Sequence, residues 1–218
     1  NSHVHFQART FGGADTADAR ILTTRLTDML GRWGFTSVFD TGSPLANTLA
    51  LRKRINTGEV LGPRILTAGD VIYPKGAQNQ KYQVSTAAEA VAAANELIAG
   101  GASAIKLYAQ AWWDLNLALP PEAIHAVVAL ARARGLPVFV HPSHQRGLQN
   151  AVDNGVDILV HTTPQIGPWS DSLLTQMKAR TIALIPTLSL WRFELQRDSA
   201  PGDWIETFVN RGVAQLRQ

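Results

Sequence analysis

Residues 135–161 read GLPVFVHPSHQRGLQNAVDNGVDILVH, and this stretch decides the fold. Two short apolar runs, Val138-Phe139-Val140 and Ile158-Leu159-Val160, each end in a histidine, His141 and His161. Between them, 146–153 carries a helical pattern, and Gly135 and Gly155 stand where a left-handed C-cap would close a helix. Strand, helix and strand in this order make a βα unit of a parallel sheet.

The same alternation extends in both directions. Strands are predicted at 2–6, 36–40, 64–68, 104–108 and 183–186, and helices at 17–31, 44–57, 86–99, 121–133, 170–179 and 204–217. Gly34, Gly58 and Gly100 are further candidate C-caps, while Thr86 (with Glu89 three residues on) and Pro121-Glu122 are plausible helix starts. Such units without a long polar linker predict one α/β domain over 1–218, a TIM-type (β/α)8 barrel lacking strand eight. An open doubly wound sheet is the alternative, but its Gly-rich phosphate loop after the first strand is not present. The segment 73–84 reads as the longest irregular piece, on the face where barrels of this kind place substrate loops.

Composition narrows the function classes. The 218 residues are 45% hydrophobic and 17% charged, the profile of a folded domain with a sizeable core. A net charge of +3 is small for this length, and the 20 basic residues are scattered. Arg52-Lys53-Arg54 is expected on a solvated helix face, so no nucleic-acid partner is expected. With Cys 0, disulfides and thiolate metal sites are excluded. No run approaches the 18 apolar residues of a membrane span, so no membrane partner is expected. The chain opens at Asn1-Ser2-His3 without Met or a signal-like run, so something upstream is expected to have been removed or left out. The compartment stays open.

The 6 histidines carry most of the chemistry. His3 and His5 lie two apart on a predicted strand, so both point to one face. In a barrel strand that face is the interior. Taken alone, the pair could equally be a surface or core coincidence. His141 and His161 sit where strand becomes loop, at the rim where barrel enzymes keep their catalytic groups. A single such histidine would read as a strand cap. Two in consecutive strands, added to the first pair, point to imidazoles gathered around a metal ion.

Lys106 is the odd residue in Ala104-Ile105-Lys106-Leu107-Tyr108. Parallel strands are covered on both faces, so an ammonium there carries a heavy desolvation cost. A long stem reaching solvent at the rim is one resolution. A neutral amine, or one carboxylated by carbon dioxide into an anionic carbamate, is the other. His144 follows His141 by three residues and either approaches the site or is solvated. His125 reads as structural. Asp40 ends the second predicted strand and suits a loop-organising hydrogen bond as well as catalysis. Tyr108, Tyr73 and Trp191 line either a pocket or the core, and Trp112-Trp113 forms a lid or a hydrophobic corner.

These words resemble those of the amidohydrolase superfamily. His3-Val4-His5 resembles its H-x-H on the first barrel strand, and Lys106 in I-K-L-Y resembles its carboxylated lysine on strand four. His141 in V-F-V-H-P and His161 in G-V-D-I-L-V-H-T-T-P resemble its histidines on strands five and six. Residues 51–69, L-R-K-R-I-N-T-G-E-V-L-G-P-R-I-L-T-A-G, resemble the linking region of its imidazolonepropionase-like and prolidase-like branch. Ile185-Pro186-Thr187 resembles that branch's seventh strand.

The resemblance implies two divalent ions, zinc above all, held by His3, His5, His141 and His161 and bridged by carboxylated Lys106. Lys106 and His161 would be the catalytic members, with Tyr108 and His144 toward the substrate. It implies hydrolysis of a C–N amide bond, in a cyclic amide or a small-molecule or dipeptide-like substrate, by a metal-activated water. Metal binding is then expected to weaken as pH falls through the histidine range. The family's strand-eight aspartate and its small β-sandwich have no counterpart in these residues. A non-catalytic barrel remnant that binds a ligand or a partner is therefore the alternative, and a homo-oligomer is left open.

Overall fold

The period-2 pattern of the central strands sorts their side chains into two layers. A computed structural model describes residues 1–77, 80–111, 113–161 and 168–188. Its strands are β1 (Ser37–Asp40), β2 (Arg64–Thr67), β3 (Ile72–Pro74), β4 (Tyr82–Val84), β5 (Ile105–Tyr108), β6 (Val138–His141), β7 (Ile158–Val160) and β8 (Ala183–Ile185). The helices are α1 (Ala8–Phe11), α2 (Ala19–Met29), α3 (Leu45–Asn56), α4 (Ala87–Ala99), α5 (Pro121–Ala133), α6 (Gln145–Asp153) and α7 (Asp171–Ala179).

The strands pair in parallel, β1 with β2 and then β4-β3-β5-β6-β7-β8. The two sheets meet where the Ser103 amide donates to the Thr67 carbonyl at 2.6 Å. On β6, Val138 and Val140 join Ile105, Leu107 and Leu159 against an outer layer that includes Leu97, Val127 and Leu148 of the helices. Phe139 turns the other way, into an inner cluster with Ala68, Ala104 and Val160. Apolar cover on both faces makes these strands read as unbroken apolar runs, and each fully buried large side chain contributes about 1.5–3 kcal/mol. This is the parallel α/β fold expected from the sequence, in the strand order of an incomplete TIM-type barrel. Among the described residues no pairing joins β8 to the N-terminal segment.

Several local expectations hold and some do not. Thr86 and Glu89 form a capping box at the start of α4. The strand expected at 2–6 shrinks to a single bridge between Val4 and Asp40. Its ladder stops because the Phe6 amide donates instead to the Ser43 hydroxyl at 2.7 Å. The segment 73–84 is less irregular than expected, since β3 and β4 pair there with Ile72 opposite Tyr82. Gly100 has φ −71° and is no left-handed cap; Gly101, at φ +97°, takes that conformation. The helix expected at 204–217 lies outside the described residues.

Two rim loops are clamped together behind β5 and β6. The Gln110 side chain accepts from the Gly147 amide at 3.1 Å and donates to the Leu115 carbonyl at 2.8 Å. A Cβ on Gly147 would stand 2.1 Å from the Pro142 carbonyl oxygen, so α6 can start this close only with glycine.

Candidate metal centre

The inner parity of the strands delivers four of the five expected ligands to one end of the sheet. Val4 packs outward, so His3 and His5 on either side of it face in. Ile105 and Leu107 pack outward, so Lys106 and Tyr108 face in, and Tyr108 pairs in register with His141. His161 breaks the rule. By alternation it should follow Leu159 outward, but its φ of +75° turns the chain and brings its ring 4.6 Å from that of His141. A non-glycine residue in the left-handed region is costly, and such strain gathers at functional sites.

The rings form a continuous group. Centroids lie 4.8 Å apart for His3 and His5 and 4.7 Å apart for His3 and His161. The Nε2 atoms of His3 and His5 approach to 2.9 Å. His5 Nδ1 lies 2.9 Å from the Gly42 carbonyl oxygen, which can only accept, so Nδ1 carries the proton and Nε2 keeps its lone pair. A Cβ at Gly42 would stand 2.7 Å from the Val71 side chain and 3.3 Å from the His5 ring. Glycine is what allows this carbonyl so close. His161 Nδ1 lies 2.6 Å from the Thr187 hydroxyl. Thr187 is not singled out as a site residue by the sequence; its place just beyond β8, in the Ile185-Pro186-Thr187 word, is the signal that could have found it.

Burial dominates the electrostatics. It holds His3 down at about 2 and His161 at about 3, with Lys106 as the next cause for both. It pushes His141 well below the ordinary imidazole range in the same way. His5 is also lowered by burial, against the opposing pull of Asp40 and the Gly42 carbonyl. Lys106 is 3% exposed, and burial lowers its amine to about 7. The site is therefore four imidazoles and one amine whose charged forms burial disfavours. The expected loss of metal through the ordinary histidine range moves to more acidic pH, because a desolvated ring resists protonation.

Asp40 is fully buried at the edge of this group, behind His5. Its carboxylate accepts from Ser43 and Thr67 hydroxyls, each at 2.6 Å, and stays 4.0 Å from His5 Nδ1. It organises the loop after β1. His144 precedes α6, its Nε2 is buried with no hydrogen-bond partner among the described residues, and it is not among the described cavity-lining residues. His125 is exposed on α5. Trp112 and Trp191 lie outside the described residues.

A cavity of about 800 Å³ opens on the cluster, bordered by His3, His5, Lys106, His141 and His161 and walled by Tyr73, Tyr108, Val71, Ile185 and Leu188. The donor set suits a cation. The imidazoles are neutral, the His5 lone pair is fixed by its other nitrogen, and the 2.9 Å between Nε2 atoms is somewhat closer than the roughly 3.4 Å between two tetrahedral ligands each about 2.0–2.1 Å from zinc. The arrangement is looser than a finished cage, however. Among the described residues no three His, Asp or Glu side chains stand in metal-holding geometry.

Comparison with known proteins agrees with this architecture. The model of the amidohydrolase family matches residues 1–190. A Xaa-Pro dipeptidase structure is 24% identical with a TM-score of 0.73, the match covering 99% of this chain and 60% of that one. A putative prolidase from Bifidobacterium longum is 25% identical with a TM-score of 0.70, over 87% of this chain and 46% of that one. The ochratoxinase of A. niger is 17% identical with a TM-score of 0.70, over 100% of this chain and 58% of that one. The chain thus spans roughly half to three-fifths of the length of the structures it resembles. No curated protein matches it.

Proposed function

Because this chain belongs to the amidohydrolase family, we propose that it carries the metal-holding part of a hydrolase that cleaves a C–N amide bond. The observation that supports this most directly is the meeting of His3, His5, His141 and His161 around a buried Lys106 at one end of a parallel sheet. The similar structures include a Xaa-Pro dipeptidase and an ochratoxinase.

His3 and His5 would hold one divalent ion, His141 and His161 a second, and a carbamate on Lys106 would join them. Such ions, when bound, lower the pKa of a water and polarise a carbonyl oxygen. The chain's own residues prepare that chemistry. Burial keeps the imidazoles unprotonated, so their lone pairs are available without proton release. The same burial leaves the Lys106 amine nucleophilic near neutral pH, the condition for adding carbon dioxide. The Gly42 carbonyl holds the His5 proton on Nδ1 and leaves Nε2 toward the site. Tyr73, Tyr108 and Ile185 wall the cavity in which the substrate would sit.

The test is metal content and turnover of the full chain. Elemental analysis is expected to find one to two tightly bound divalent ions per chain, with hydrolysis somewhere in a panel of cyclic amides, N-acyl amines and Pro-containing dipeptides. Fewer than one ion, with no turnover in excess zinc, would leave the barrel-remnant reading instead.

Thr187 gives a narrower test of the same site. Its hydroxyl meets His161 Nδ1, and removing such a support lowers metal affinity by about 10–100-fold. Thr187→Val is expected to lose metal to a chelator in that range, while Thr187→Ser retains it. Equal retention by both variants would show that the hydroxyl has no such role.

A further inference from the structure

The two halves of the histidine cluster are not prepared alike. The Gly42 carbonyl fixes the His5 proton on Nδ1 and leaves a lone pair on Nε2. His3 Nε2 stands 2.9 Å from that lone pair. Two nitrogen lone pairs repel at this distance, so His3 Nε2 carries a hydrogen and donates it to His5. A neutral His3 then has its own lone pair on Nδ1. That atom is buried and has no hydrogen-bond partner among the described residues. In the other half, His161 Nδ1 lies 2.6 Å from the Thr187 hydroxyl, which can accept a hydrogen from it. With its hydrogen on Nδ1, His161 keeps the Nε2 lone pair for a cation.

We propose that this internal hydrogen bond latches the His3–His5 pair shut when no metal is bound, so that the His141–His161 half takes the first divalent ion. The inference rests on the metal-holding role given above and adds an order of filling to it. For His3 to offer Nε2, its hydrogen must move to Nδ1, with no change in the charge of the ring. The bond between the two Nε2 atoms is then lost. A buried N–H is also left without an acceptor among the described residues, a costlier state than a buried lone pair. Binding through His3 Nδ1 instead is barred by the burial of that atom. His161 needs no such rearrangement, because Thr187 already meets its Nδ1. The 2.9 Å separation agrees with a latch, since it is a hydrogen-bond length and shorter than the spacing of two ligands on one zinc.

The test uses the full chain with histidines labelled in heavy nitrogen, stripped of metal by a chelator. Long-range nitrogen–proton correlation spectra separate ring nitrogens that carry hydrogen from those that carry a lone pair. His3 is expected to hold its hydrogen on Nε2 and His5 on Nδ1. Zinc is then added in steps. The rings of His141 and His161 are expected to shift first, and those of His3 and His5 at roughly 5- to 150-fold higher free zinc. Thr187→Val should narrow that gap, because it removes support from the first half only. A metal-free His3 with its hydrogen on Nδ1, or His3 and His5 shifting with or before the other pair, would overturn the latch. No shift at any ring up to millimolar zinc would sink the metal-holding reading and the order of filling with it, while the His3 tautomer is scored separately.

Discussion

Lys106→Ala is expected to empty the site of divalent metal and to cut turnover by at least about 100-fold. Even residues that merely support a metal ligand cost 10–100-fold when removed, so a bridging ligand should cost no less. The variant also leaves a void beside four imidazoles held neutral by burial. A small carboxylate fits that void and restores two oxygens where the carbamate would be. Acetate or propionate is therefore expected to return part of both metal content and activity. Lys106→Met fills the void with a thioether and should show no rescue. The measurement is metal per chain after gel filtration, with and without 50–100 mM propionate in the style of a dose series, on the order of concentrations that saturate weak sites. An alanine variant with full metal content would mean that the lysine is only a buried stem, and the binuclear reading would fail.

The second large effect is on the stability of the metal-free chain against pH. The Lys106 amine sits at about 7 in the fold against 10.5 when unfolded. Between these values the unfolded chain holds a proton that the folded chain has released. Stability therefore rises with pH across that window, is fully gained above the unfolded value, and is lost as pH falls toward 7. His161 acts in the same direction lower down, at about 3 in the fold against 6.5 unfolded. Its contribution is complete above 6.5 and disappears toward 3. Each pH unit inside a window is worth up to about 1.4 kcal/mol per group.

Urea unfolding in chelator and carbon dioxide-free buffer should thus give higher stability at pH 9 than at pH 7, by roughly 1–3 kcal/mol. Most folded proteins have their optimum lower. Lys106→Met is expected to remove the upper slope and keep the acid one. Stability that is flat or falling from pH 7 to pH 9 in the unaltered chain would show that the amine is solvated after all.

Much of the site could be read along the chain because its signals are local. His3 and His5 share a face by period alone, and His141 ends an apolar run in register with Tyr108. Lys106 stood out because every neighbour in its strand is apolar or aromatic. Thr86 and Glu89 announced their capping box three residues apart. Other features had no local signal. Asp40 looked like a rim carboxylate, yet its parity sends it to Ser43 and Thr67, a partner 27 residues away. Thr187 reaches His161 across 26 residues.

Residue order alone carries the alternation of strand and helix, the two-sided apolar cover, and which histidines lie at strand ends. Period and hydrophobicity are properties of neighbouring residues, so they survive without coordinates. Three-dimensional packing was needed to turn His161 inward through a left-handed φ, to let Gly42 select the nitrogen His5 offers, and to stack Tyr73 and Tyr108 toward His141. Those outcomes depend on contacts between distant segments and on how far each group is removed from water. Neither quantity exists until the chain has closed on itself.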